Sequence, residues 1–147
     1  MWKTVRHIDE QLAALDASDN KLIEMATALN QEMWDEAIRK NFVLVRAVQV
    51  RQCPNRFRID WCQLRHVKKD GVATTKVLHK RIPLNKSVSK ITYKQSLTRM
   101  GRLDQNHLSL FNRYDEKFAA IRELADRNGD YRAGLLRMRA IVGAVGL

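Results

Sequence analysis

The chain has 147 residues, enough for one domain with a core of its own and no need of disulfide or metal staples. Its 45% apolar and 29% charged content excludes a disordered basic tail, and no apolar run approaches membrane-spanning length. The net charge of +11 is concentrated: Lys40 to Arg102 holds 16 Lys/Arg against two acids, the segment before it 4 against 8, and the segment after it 7 against 6. A cationic block inside a balanced frame is the footprint of a polyanion binder, whereas a charge serving solubility is spread more evenly.

The start, Met1 to His7, lacks the unbroken apolar stretch of a signal peptide, so a cytoplasmic protein is expected. From Val5 onward apolar residues recur at steps of three and four: Val5, Ile8, Leu12, Leu15, then Leu22, Ala26, Leu29 and Met33. This heptad-like seam, with Asp19 at one seam position, predicts a long helix to about Lys40. The turn-prone run Asp16 to Asn20 is a weak point at which two helices are the alternative. The surface of this helix is acidic, which suits an ordinary wet face and not contact with phosphates.

At Asn41 the period shortens to two. Phe42 to Val50 predicts a strand buried on both sides, and Cys53-Pro54-Asn55 a turn. In the next run Phe57, Ile59, Trp61 and Val67 share one parity, against Arg56, Arg58, Asp60, Cys62, Leu64, His66 and Lys68 on the other. That predicts one apolar face and one outward cationic face. Asp70-Gly71 supplies a hairpin turn, because both residues tolerate positive φ, and a third strand runs from about Ala73 to Ile82. A basic connector follows, with Lys86, Lys90 and Lys94 and a short strand near Ser89–Tyr93.

Helical spacing returns with Phe111, Tyr114, Phe118, Ile121 and Ala125. Asp104 can cap this helix, with a start near Ser96 bent at Gly101 as the alternative. Asn128-Gly129-Asp130 predicts its stop and the cap of a last helix from Tyr131. The fold class expected is therefore α+β in a single domain over residues 1–147. It comprises an acidic helix (1–40), a basic three-stranded antiparallel meander with its connector (41–94), and two C-terminal helices (95–147). The two stripes read as intramolecular core; the seam holding Asp19 can also pair two copies as a homodimer.

Catalysis is not expected. His7, His66, His79 and His107 are scattered without metal-ligand spacing, and no glycine-rich phosphate loop or acid cluster for Mg²⁺ is present, so neither metal nor cofactor is implied. Asp60, Cys62 and His66 share a strand face, but side chains four apart on a strand stand about 13 Å apart, too far for a Cys–His pair. Cys53 and Cys62 could meet across a tight hairpin, although reduced packing cysteines are the expected state without a secretory signal.

Binding is where the residues converge. A two-stranded ribbon fits the major groove of duplex DNA, and arginine on it can bond guanine O6 and N7 together. Arg56, Arg58 and Arg65 are the candidates for base reading. Lys68, Lys69, Lys76, Lys80, Lys86, Lys90 and Lys94, with Arg81, suit the phosphate backbone. Phe57 and Trp61 lie on the apolar parity and only Tyr93 is left as an exposed ring, so stacking on single-stranded RNA is less favoured than duplex DNA.

The order of elements, with Phe57-Arg58-Ile59-Asp60-Trp61, the exit Arg81-Ile82-Pro83, and the run from Phe111 to Arg122, resembles the MobI-type mobilisation proteins of conjugative plasmids and integrative elements. The likeness covers roughly Met33 to Ile141 and rests on pattern. It implies an accessory DNA-binding protein acting at a transfer origin beside a relaxase, without nicking DNA itself, and supplies no site residues. Two other readings stand beside it: an RNA-binding protein, and a phage or mobile-element inhibitor whose basic face occupies a channel on a nucleic-acid-processing enzyme.

Overall fold

The computed structural model describes residues 4–54, 56–84 and 93–146, with the backbone alone at 73 and 75. The elements in order are α1 (Val5–Arg39), β1 (Arg46–Cys53), β2 (Arg56–Lys69), β3 (Val72–Arg81), α2 (Leu97–Met100) and α3 (Gln105–Ala144). This is the expected α+β arrangement, with the strands in the order β1-β2-β3 and both pairings antiparallel.

The first helix is unbroken. Thr4 caps it by accepting from the His7 N–H, and no interruption occurs at the Asp16–Asn20 run. Its end is a Schellman turn: Asn41 takes a left-handed φ of 57°, Phe42 N–H donates to Ala37 O at 3.0 Å, and Asn41 N–H to Ile38 O at 3.2 Å. This turn delays the first strand, which starts at Arg46 and not at Phe42 as expected. Val43 and Val45, read as buried, are exposed.

Two helices follow the sheet, but they divide at Gly101, where φ is +76°, and not at Gly129. Asp104 then caps α3 by accepting from the His107 N–H at 2.9 Å. The predicted stop at Asn128-Gly129-Asp130 fails because the flanking residues are held from outside the helix. Asn128 donates to Ser18 and Asp19, and Arg132 to Asp16 and Asp19, so tertiary bonds override a local break signal worth about 1 kcal/mol.

The two long helices lie antiparallel along one another. Asp9–Arg139, Asp16–Arg132 and Glu36–Arg113 ion pairs mark three levels of that seam. Of the acids of α1, expected on a wet face, Asp9, Asp16 and Glu36 thus pair with arginines of α3, whereas Glu10, Glu24 and Asp35 are exposed as expected. Asp19 is buried against Arg132 and Asn128, so its place in the seam serves contact within the chain.

The apolar parity of β2 faces the helices as predicted. The Trp61 ring lies tilted at 5.5 Å from Phe111 and edge-on at 6.2 Å from Phe118, and Phe57 and Ile59 are buried with it. The opposite parity is not simply outward. Asp60, Cys62 and Leu64 are all buried there, because β2 is the central strand and the long side chains of its neighbours shield it.

Candidate nucleic-acid interface

β2 has fourteen residues and β1 only eight, so the two strands share pairing from Arg46↔Gln63 to Cys53↔Arg56. Beyond Leu64, whose N–H bonds Val45 O, β2 continues without β1 and pairs with β3 alone. The result is a projecting two-stranded ribbon. Its tip is the Asp70-Gly71 turn, with φ of 54° and 78°, as the hairpin chemistry demands. Near the tip one β2 residue, Val67, faces three of β3 between the pairs His66↔Val77 and Lys68↔Ala73. Such a bulge increases the local twist, and Thr74 Oγ1 secures it by donating to Val67 O at 2.6 Å.

Four of the candidate cations ride on this ribbon, Arg65, Lys68, Lys69 and Lys76, and two more, Lys80 and Arg81, stand at its base, where β2 is still paired with β1; all six are exposed. Among 64–81 the only acid is Asp70. Strand pairing sets their faces. Arg65 opposite Leu78 and Lys80 opposite Gln63 share the parity of Trp61, whereas Arg81 opposite Cys62 lies on the other side. The first of these faces is open beyond the helices, since Leu78 is 43% exposed.

The proposed trio of base readers is not brought together. Arg56 and Arg58 share one parity and Arg65 the other, and Arg56 sits at the far end of β2, about 43 Å from Lys69 at 3.3 Å per residue. Arg58 also bonds Asp60 at 3.4 Å, and Arg56 lines a hollow with Asp16, Asp19 and Arg132. Arg65 alone of the three belongs to the ribbon. The strand-alternation signal for this division was already present in the numbering.

The connector residues Lys86 and Lys90 lie outside the described residues, as does most of the short strand expected near Ser89–Tyr93. Lys94 is described and exposed, and its neighbours are fixed. Asp115 is the hub: it accepts from Trp61 Nε1 at 2.8 Å, Gln95 N–H at 2.9 Å and Arg122 Nη1 at 3.2 Å. Arg122 also donates to Ile59 O and Tyr93 O, and Gln95 Nε2 donates to Pro83 O at 3.2 Å. Both ends of the connector are therefore tied to one buried network. Tyr93, expected as an exposed ring, is half-buried and donates its hydroxyl to Asp126 at 2.6 Å.

Two further cations escaped the sequence reading. Arg46 Nε donates to Met100 O at 3.1 Å, which places the corner after α2 beside the row Arg46–Gln63–Lys80 at the ribbon's base. Arg99 and Arg102 are exposed on that corner. No local pattern could reveal this proximity, which depends on a contact 54 residues apart.

Reactive groups in the same region are occupied. Burial pushes the Cys62 thiol up to about 11, with the Asp60 charge adding to the effect and Arg51 and Arg81 opposing it. Cys53 pairs opposite Arg56 and Cys62 opposite Ala47, which sets the two sulfurs' strand positions about 20 Å apart and rules out the hairpin disulfide. His66 Nε2 contacts Leu44 O at 2.9 Å. His107 Nε2 accepts from Val45 N–H at 3.0 Å while its Nδ1 lies 2.8 Å from Asp104 Oδ1, so both ring nitrogens are engaged. Among the described residues no cluster of His, Cys, Asp or Glu could hold a metal, and no helix is long and apolar enough to cross a membrane.

Comparison with known proteins gives one family. The model of the MobI protein family matches residues 22–136, from the middle of α1 through the sheet and ribbon into the second half of α3. No curated protein and no solved structure matches the chain. The matched span includes every element that builds the ribbon and the Asp115 network, and on it the chain belongs to the MobI family of conjugative mobilisation proteins.

Proposed function

We propose that this chain is a non-catalytic duplex-DNA-binding accessory protein of conjugative mobilisation, acting in the cytoplasm at a transfer origin alongside a relaxase. The observation that carries the reading is the β2–β3 ribbon, which projects past β1 with four exposed Lys/Arg and has two more, Lys80 and Arg81, at its base, against one acid. A major groove about 12 Å wide admits two paired strands. Arg65 reads a guanine edge from the ribbon's open face, with Leu78 opposite it available to a thymine methyl. Lys68, Lys69, Lys76, Lys80 and Arg81 neutralise phosphates on either side.

Duplex DNA is favoured over single strands because Phe57 and Trp61, the aromatics of the central strand, are packed in the core. A non-catalytic role accords with the protonated Cys62 thiol and with imidazoles bound to backbone groups. The experiment is a mobility-shift competition at about physiological salt: labelled origin duplex against unlabelled origin duplex, random duplex and single-stranded RNA of matched length. Retention of the label except against the origin duplex is the expected result; displacement by RNA ahead of duplex overturns the reading.

A further inference from the structure

We propose that the back of the α1–α3 helix pair, the side turned away from the sheet, is the docking surface for a second copy of this chain. The sheet side of α1 is marked by Ile23, which lines a hollow with Phe57. Glu32, nine residues on, stands about half a turn round the helix from Ile23. Met25, Leu29 and Glu32 from α1, with Lys117, Ile121 and Leu124 from α3, line a groove of about 450 Å³. Met25 is 49% and Leu124 51% exposed.

The apolar surface does not end there. Tyr131, Met138 and Val145 follow Leu124 at heptad steps, each large and exposed, while Leu135 and Val142 on the same stretch of α3 are buried against α1. A helix apolar on two sides is built to be covered on two sides. From Lys117 to Val145 the strip runs about 42 Å, and two helices give it a width of about 20 Å. That offers roughly 800 Å² per copy, the usual share in a stable dimer.

The rim identifies the occupant. Glu32 and Lys117 both meet Tyr114, the first at 3.4 Å from its hydroxyl and the second at 5.5 Å from its ring centroid. They therefore stand at one level, negative on α1 and positive on α3. A two-fold axis lying along the groove sets each α1 on the other copy's α3 without axial shift. Glu32 then faces the partner's Lys117, twice over, and Met25 meets the partner's Leu124. Self-complementarity of this kind is what an isologous interface requires.

The test is sedimentation equilibrium of the full chain without DNA, so its outcome is independent of the nucleic-acid reading. The wild type should show twice the 17.1 kDa chain mass at about 10–100 µM. Leu124→Glu, with helicity retained by circular dichroism, should weaken association at least about tenfold by burying a carboxylate. Lys117→Glu alone should weaken it too, and the exchanged pair Glu32→Lys with Lys117→Glu should restore it. Both residues are exposed in the single chain, so those two variants remain informative should Leu124→Glu fail to fold. A wild type of 17.1 kDa across that range, or a Lys117→Glu variant associating like the wild type, overturns the proposal.

Discussion

Trp61 on the central strand donates its indole N–H to Asp115 of α3 at 2.8 Å, and both side chains are buried. That bond fixes the sheet to the helix at the point where Arg122 and Gln95 converge on the same carboxylate. Burial holds the Arg122 guanidinium below the usual arginine range, and the Asp115 charge works against that shift. Asp115→Ala leaves a buried guanidinium without its anion, a change that costs about 3–5 kcal/mol. Urea unfolding should report that loss, and a change under about 1 kcal/mol would remove Asp115 as the hub.

Gly129 lies inside α3 in open space, with nothing within 4 Å of an added Cβ, and its φ is not left-handed. Gly129→Ala should therefore stabilise the protein by about 0.5–1 kcal/mol, since alanine loses less backbone freedom in a helix. A thermal midpoint raised by a few degrees checks this. Destabilisation would mean that the helix needs a flexible point there.

Much of the architecture was legible from periodicity. The seam of α1 and the Phe111–Ala125 stripe of α3 each repeat over several turns, and the Asp70-Gly71 hairpin is demanded by two adjacent residues that tolerate positive φ. Gly129 misled because the bonds that override it, from Asn128 and Arg132 to Asp19, join residues more than a hundred apart. The candidate site was half legible. The charge block located the ribbon, and strand alternation already set Arg65 off from Arg56 and Arg58, but where the ribbon leaves β1 needed the pairing. The contribution of Arg99 and Arg102 needed the Arg46–Met100 contact.

Acid should loosen the helix pair. The Arg113 guanidinium beside Glu36 holds its carboxyl below the ordinary range, as Arg139 does for Asp9. A carboxyl lowered in the folded state stabilises it above the unfolded value, about 4.3 for Glu, and that stabilisation is lost as pH falls through the folded value. The stability gap between wild type and Arg113→Ala should accordingly be larger at pH 7 than at pH 3. Equal gaps in urea midpoint at both would show that this pair carries no proton linkage.

The corner after α2 should act as a second phosphate clamp beside the ribbon. Replacing Arg99 and Arg102 together with Ala should lower affinity for all duplex sequences and reduce the salt slope by about 1–2. Arg65→Ala should instead relax sequence preference, while Arg56→Ala, at the far end of β2, should leave it unchanged. An equal effect of all three in an origin-versus-random titration would contradict the division of the cations into two groups.

The salt dependence of duplex binding tests the central claim most directly. With the five cations Lys68, Lys69, Lys76, Lys80 and Arg81 on phosphates, they alone should give log K against log salt a slope of about −4.5, and Lys68→Glu with Lys69→Glu should flatten that share to about −3 or less. Binding that is indifferent to salt, or undiminished in that charge-reversed pair, would contradict a ribbon that grips nucleic acid.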